Sequence, residues 1–176
     1  MEERHVPELK TVAFTYDGKE DRILAGINLG EADAWSCWLT RRLVLALLEQ
    51  APRFVERTLS SASQTPTEFK HDLIAFEREV ALATTASSMR PTDDAHMKGS
   101  AAAAQLAERL TLSVQGDKFR LELMGNRGGT AAGAVKRAEL QRILQMLSAE
   151  VARASWLGPS AKEASGPADT AKPLRQ

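Results

Sequence analysis

The sequence predicts an α+β domain of two strand-meander-plus-helix halves, with a helix inserted between them and a mainly antiparallel sheet. Three observations predict it. Two stretches, near residues 12–29 and 106–123, alternate apolar and polar residues around a glycine-containing turn, as half-buried hairpins do. Each half then closes on a run whose apolar residues recur at three- and four-residue steps, the period of an amphipathic helix. Between them stands Thr65-Pro66-Thr67-Glu68, the clearest helix start in the chain.

Val12, Phe14 and Tyr16 alternate with Thr11, Ala13 and Thr15 to make the first strand. Asp17-Gly18 supplies the positive φ of a tight turn, and Ile23, Ala25, Ile27 and Leu29 mark one face of the second strand. Gly30 to Asp33 is a turn, and Ala34 to Leu39 is a third strand carrying Trp35 and Trp38. Thr40 is placed to cap a helix with Leu43, Leu47 and Leu48 on one side. Pro52 lacks a backbone donor and disfavours helix at Ala51, so a kink or break is expected there. A further turn or two carries Phe54, Val55 and Leu59, and Leu59 to Gln64 reads as a loop.

Thr65 and Glu68 form a capping box, with proline at the first helical position. Helix is expected from Pro66 to about Thr85, with Phe69, Leu73, Phe76 and Val80 in one stripe. Ser87 to Ser100, with Pro91, Asp93, Asp94 and Gly99, reads as a loop. Leu110, Leu112 and Val114, then Phe119, Leu121 and Leu123, alternate on either side of Gln115-Gly116-Asp117. Gly125 to Gly133 reads as a glycine-rich loop, followed from about Arg137 by a helix bearing Leu140, Ile143, Leu144, Leu147 and Val151. Residues 1–157 are expected to form one domain, closed by Trp156 and Leu157. Residues 158–176 have little to bury and are expected to be a disordered tail.

The halves suggest an internal duplication. Gly18, Arg22, Ile23 and Ala25 match Gly116, Arg120, Leu121 and Leu123 at a separation of 98, and Leu43 and Leu47 match Leu140 and Leu144 at 97. Asp21-Arg22-Ile23-Leu24, Ile27-Asn28, Trp38-Leu39-Thr40-Arg41-Arg42-Leu43 and the closing Ala154-Ser155-Trp156-Leu157 resemble a pattern in small bacterial proteins of no assigned function. The resemblance spans most of residues 1–157 and implies no activity. The chain departs from it at Gly125 to Gly133, where a more regular strand is expected.

Twenty-three basic residues balance 23 acidic ones, which argues against blanket attraction to phosphate or a membrane surface. Residues 101–155 carry eight basic and five acidic side chains, a mild bias. A single cysteine, Cys37, excludes an intrachain disulfide and suits a reducing compartment. Met1 to Lys10 lacks the apolar core of a secretory signal, and Leu43 to Leu48 is far too short to span a membrane. A cytoplasmic location is expected.

No catalytic constellation, metal-binding spacing or cofactor motif stands out. The chain has no Gly-x-Ser-x-Gly elbow, the loop at Gly125 lacks a P-loop ending, and Asp93, Asp94 and His96 read as solvated loop residues. Cys37 reads as a packing residue. What remains is a set of candidate interaction residues at the strand-to-helix junctions: Trp35, Trp38, Arg41 and Arg42 in the first half, Lys136, Arg137 and Trp156 in the second. An exposed tryptophan there would anchor a protein partner. The bland alternative has the arginines pairing with Asp21 or Asp33 and Trp38 filling core.

The expected role is therefore a non-catalytic interaction or assembly protein, a homodimer or a subunit or adaptor of an intracellular complex, with no cofactor. The alternative is a nucleic-acid-associated factor using Arg41, Arg42, Lys136, Arg137 and Arg142, which requires these side chains to share a face.

Overall fold

The computed structural model describes residues 8–58 and 94–158, together with Phe69, Asp72, Ala75, Phe76, Glu79, Val80 and Ala83 between them; the side chains of 57–58 and 94–95 are excepted. Six strands and three helices build an α+β fold: β1 (Val12–Asp17), β2 (Arg22–Ile27), β3 (Trp35–Leu39), α1 (Arg41–Thr58), α2 (Asp94–Ala101), β4 (Gln105–Gln115), β5 (Lys118–Gly125), β6 (Thr130–Val135) and α3 (Arg137–Arg153). The sheet runs β1-β2-β3-β4-β5-β6, antiparallel throughout except where β3 meets β4 in parallel.

The sheet curls. Glu8, four residues ahead of the first strand residue, bridges Ala132 of β6 in parallel, and the Leu9 amide donates to the Ala132 carbonyl at 3.0 Å. Laid flat, six strands would hold β1 and β6 about 24 Å apart, at about 4.8 Å per spacing. Four residues reach at most about 14 Å. The two edges must therefore bend toward each other. Gly133 makes the contact possible, since a Cβ there would lie 2.7 Å from the Leu9 Cβ.

Asn28 holds this overlap in place. Fully buried and at φ +49°, it accepts from the Lys10 and Thr11 amides through Oδ1 at 3.0 and 3.1 Å. Its Nδ2 donates to the Glu8 carbonyl at 2.6 Å and to Asp33 Oδ2 at 3.0 Å.

One face of the sheet carries the core: Ile23, Ala25, Ile27, Cys37 and Leu39 from the first half, Phe119, Leu121 and Leu123 from the second. Val44, Leu47, Ala51 and Val55 of α1 and Leu140, Ile143, Leu147 and Val151 of α3 pack into the same cluster. Alternation along each strand turns Leu24, Trp38, Arg120 and Glu122 to the opposite face.

Four local expectations need correction. Helix α1 continues through Pro52 to Thr58, so the short break, the alternative to a kink there, does not occur. Pro52 itself is exposed, so the helix carbonyl it leaves unbonded can be solvated, while buried Ala51 and Val55 pin the turn on either side. The stretch read as a loop at Ser87 to Ser100 contains α2 over its described end, because Met97 is buried against the sheet. The glycine-rich loop is only a turn at residues 126–129. Strand β6 follows it, small residues (Thr-Ala-Ala-Gly-Ala-Val) being what the crowded overlap with Leu9 admits.

Finally, both halves run strand, strand, strand, helix, but their hairpins close differently. Asp17 pairs with Arg22 across four turn residues, whereas Gln115 pairs with Lys118 across two. One constant offset therefore does not superimpose both strands of each hairpin.

The expected loop at Leu59 to Gln64, the Thr65–Glu68 capping box and the tail beyond Gly158 lie outside the described residues. Within the expected central helix, the seven described residues are helical and exposed.

Candidate functional site

The first strand-to-helix junction and the C-terminus of α3 meet at the β1–β2 turn. Helix α3 ends in a Schellman arrangement: Ser155 takes φ +54°, its amide donates to the Ala152 carbonyl at 3.0 Å, and the Trp156 amide reaches the Val151 carbonyl at 3.3 Å. The reversal swings Trp156 back onto the fold, where only 3% of it remains exposed. Its indole N–H donates to Asp21 Oδ1 at 2.8 Å, and the Tyr16 hydroxyl donates to the same oxygen at 3.0 Å. The Tyr16 and Trp156 rings meet edge to face, with centroids 5.8 Å apart and planes at 86°. Arg41 donates to the Trp156 carbonyl. Glu150, largely buried on α3, accepts the Tyr16 amide at 2.8 Å and pairs with Arg153 at 3.3 Å.

The electrostatics follow from these bonds. The Trp156 indole, then the Tyr16 hydroxyl, hold the Asp21 carboxyl below its ordinary range; partial burial opposes them and the nearby Arg41 charge assists. The Tyr16 hydroxyl is pushed up, chiefly because it donates to Asp21 and secondarily by burial. These groups bond one another across the fold, so the cluster is a clasp between α3, the first hairpin and the start of α1.

The predicted residues therefore scatter. Trp156 is not an exposed anchor, because its indole N–H finds a carboxylate inside the fold. Arg41 is satisfied by a backbone carbonyl in the field of Asp21, while Asp33 is taken up by Asn28 and Lys10. Arg42 is exposed. Trp35 is half-buried on the core face, its indole nitrogen crowded against Gly129 and without a hydrogen-bond partner. Lys136 is exposed, and its amide is capped by Glu139 at 2.7 Å. Arg137 opens α3.

Arg41 touches the residue just past the C-terminus of α3, and Arg137 begins that helix. Seventeen residues at about 1.5 Å each put about 25 Å of helix between them. The two basic junctions do not converge.

The glycine-rich turn offers no anion cradle either. The Gly125 amide donates to the Gly129 carbonyl, Asn126 to Leu106 and Gly128 to Gly125. The Arg127 and Gly129 amides both donate to Gln105 Oε1, at 3.2 and 3.1 Å. Among the described residues no cluster of three or more His, Cys, Asp or Glu side chains could hold a metal ion, and no helix is long and apolar enough to cross a membrane.

Of the predicted set, Trp38 borders an open groove. A groove of about 330 Å³ lies on the sheet face away from the core, lined by Thr15, Tyr16, Asp17, Leu24, Trp38, Met97, Lys98, Ala101 and Arg153. Lys98, Met97 and Arg153 were not legible as site residues, since they come from α2 and the far end of α3 and carry no motif. A smaller apolar cleft of about 200 Å³ separates α1 from β4, between Leu43, Phe54, Leu110 and Leu112.

Comparison of the chain with protein-family models, with curated proteins and with solved structures finds no match.

Proposed function

We propose that this protein is a non-catalytic assembly protein, a subunit of a larger complex, that associates with a second copy of itself through the helical stripe Phe69–Phe76–Val80. One observation carries the reading. These three large apolar side chains stand 56%, 64% and 47% exposed, on residues that are all helical. Steps of seven and four residues, continued by three more to Ala83, are those of one face of a helix. That alternation of four and three is the spacing with which one helix seats against another. A solvated apolar row of this kind gains by covering itself.

The nucleic-acid reading has no comparable support, since its basic junctions stand a helix length apart. A cytoplasmic location remains part of the proposal, resting on the lone buried Cys37.

Light scattering on the full chain and on a Phe69→Lys/Phe76→Lys double variant tests the proposal. The expected result is a dimer or larger assembly for the wild type and a monomer of unchanged circular dichroism for the variant. A monomeric wild type, or a variant that still assembles, overturns it.

A further inference from the structure

We propose that the groove beside Trp38 binds a small aromatic monocarboxylate, its ring on Trp38, Leu24 and Met97 and its acid group on Lys98. Thr15, Leu24 and Trp38 are cross-strand partners in one row over β1, β2 and β3. The row faces away from Ile23 and Ala25, so the two-helix core does not cover it. Helix α2 forms one wall. It comes close because Gly26 has no side chain: a Cβ there would lie 2.8 Å from the Met97 sulfur. It is anchored by Ser36 Oγ of β3, which donates to the Ser100 carbonyl at 2.9 Å, while Ser100 Oγ turns back to the Met97 carbonyl of the same helix at 2.9 Å. Leu24 and Met97 are buried yet lie outside the main core cluster. They make an apolar floor with the half-buried face of Trp38.

The polar groups at the rim set the charge of the ligand. Asp17 Oδ1 is occupied by the Lys19 and Glu20 amides, at 2.8 and 3.2 Å, and Arg153 by Glu150. The Lys98 ammonium makes no ion pair or hydrogen bond among the described residues, and neither does the Trp38 indole N–H. One cation, Lys98, therefore remains open above an apolar floor, with the Trp38 indole and the Thr15 hydroxyl as neutral donors beside it. The carboxylates of Asp17 and Glu150 nearby repel a polyanion, so a single acid group fits where a nucleotide phosphate chain does not. A volume of about 330 Å³ lies at the lower end of small-molecule sites, about 300–1,000 Å³.

The test uses the full chain, labelled with ¹⁵N, whose three tryptophans give three indole N–H resonances. The probes are 2-naphthoate and its neutral analogue 2-naphthamide. Naphthoate is expected to move the Trp38 resonance and leave that of Trp156 in place. Binding is expected to weaken at least about tenfold for the amide and for Lys98→Glu, the loss of a hydrogen bond to a charged group. Lys98 is exposed, and an unmoved Trp156 resonance in the variant verifies the fold. An unresponsive Trp38, equal affinity for acid and amide, or undiminished binding by Lys98→Glu each overturns the proposal. The residues tested are separate from the Phe69–Val80 stripe, so the two readings stand or fall independently.

Discussion

The Trp156 indole donates to the Asp21 carboxylate at 2.8 Å, joining the end of α3 to the first hairpin. Tyr16 shares the same oxygen, and Arg41 holds the tryptophan carbonyl. The clasp ties β1, β2, α1 and α3 together through side chains no sequence motif connects. Replacing Trp156 by alanine empties a buried site, at a cost of about 3–5 kcal/mol, checked by urea unfolding.

The same clasp makes stability depend on pH. Asp21 is held below its unfolded value of about 3.9. A depressed carboxyl contributes stability that is present above the unfolded pKa and is lost as pH falls through the folded one. The wild type is therefore expected to lose its advantage over Asp21→Asn progressively below about pH 4. Urea midpoints of both proteins from neutral to acid pH check this. A constant difference across that range would refute the assignment.

Asn28 carries four hydrogen bonds from a fully buried position. Asn28→Ala strands several buried backbone groups and is expected to cost about 3 kcal/mol. Asn28→Asp is nearly isosteric, yet it sets a carboxylate oxygen against the Glu8 carbonyl and the Asp33 carboxylate. It is expected to be no milder than Asn28→Ala at neutral pH and to recover as the introduced carboxyl is neutralised in acid. Hydrogen exchange at Leu9 and Thr11 reports the loosened overlap directly.

Cys37 lies wholly buried in the core, and burial pushes its thiol up to about 12. Only the thiolate reacts at a useful rate. Alkylation by iodoacetamide in native buffer is expected to be no faster than global unfolding and to rise with urea. Rapid native labelling would show that β3 opens locally.

Gln141 is buried on α3, and neither amide atom finds a hydrogen-bond partner. Removing an unsatisfied buried amide without changing the volume much is stabilising. Gln141→Met is expected to add about 1 kcal/mol, checked by the same urea assay.

Hairpins and helices that pack through local alternation were legible. The runs at Val12–Tyr16, Ile23–Ile27 and Phe119–Leu123 stand where their period places them, as do the stripes of α1 and α3. Strand β6 was not, because Thr-Ala-Ala-Gly-Ala-Val has weak local preference and is made a strand by pairing with β5. Helix α2 was missed for the same reason. Asp-Ala-His-Met-Lys-Gly-Ser-Ala is indifferent on its own, and Met97 meeting Gly26 supplies the missing preference. The junction residues were chosen by type, as arginines and tryptophans near helix starts. Whether such a residue is exposed depends on what reaches it, and Trp156 is reached by Asp21 from the other end of the chain.

By itself, then, the sequence determined β1 to β3, the β4–β5 hairpin, α1 and α3 in their order, the capping of α1 at Thr40 and which face of most strands is apolar, since these depend on neighbours a few residues away. Only the tertiary structure decided that Glu8 crosses to β6, that the basic junctions stand apart, and that Trp156 is a buried clasp while Trp38 borders a groove. Each of these is set by contacts between residues far apart in the chain. Such contacts leave no periodic trace in the local pattern from which strands and helices are read.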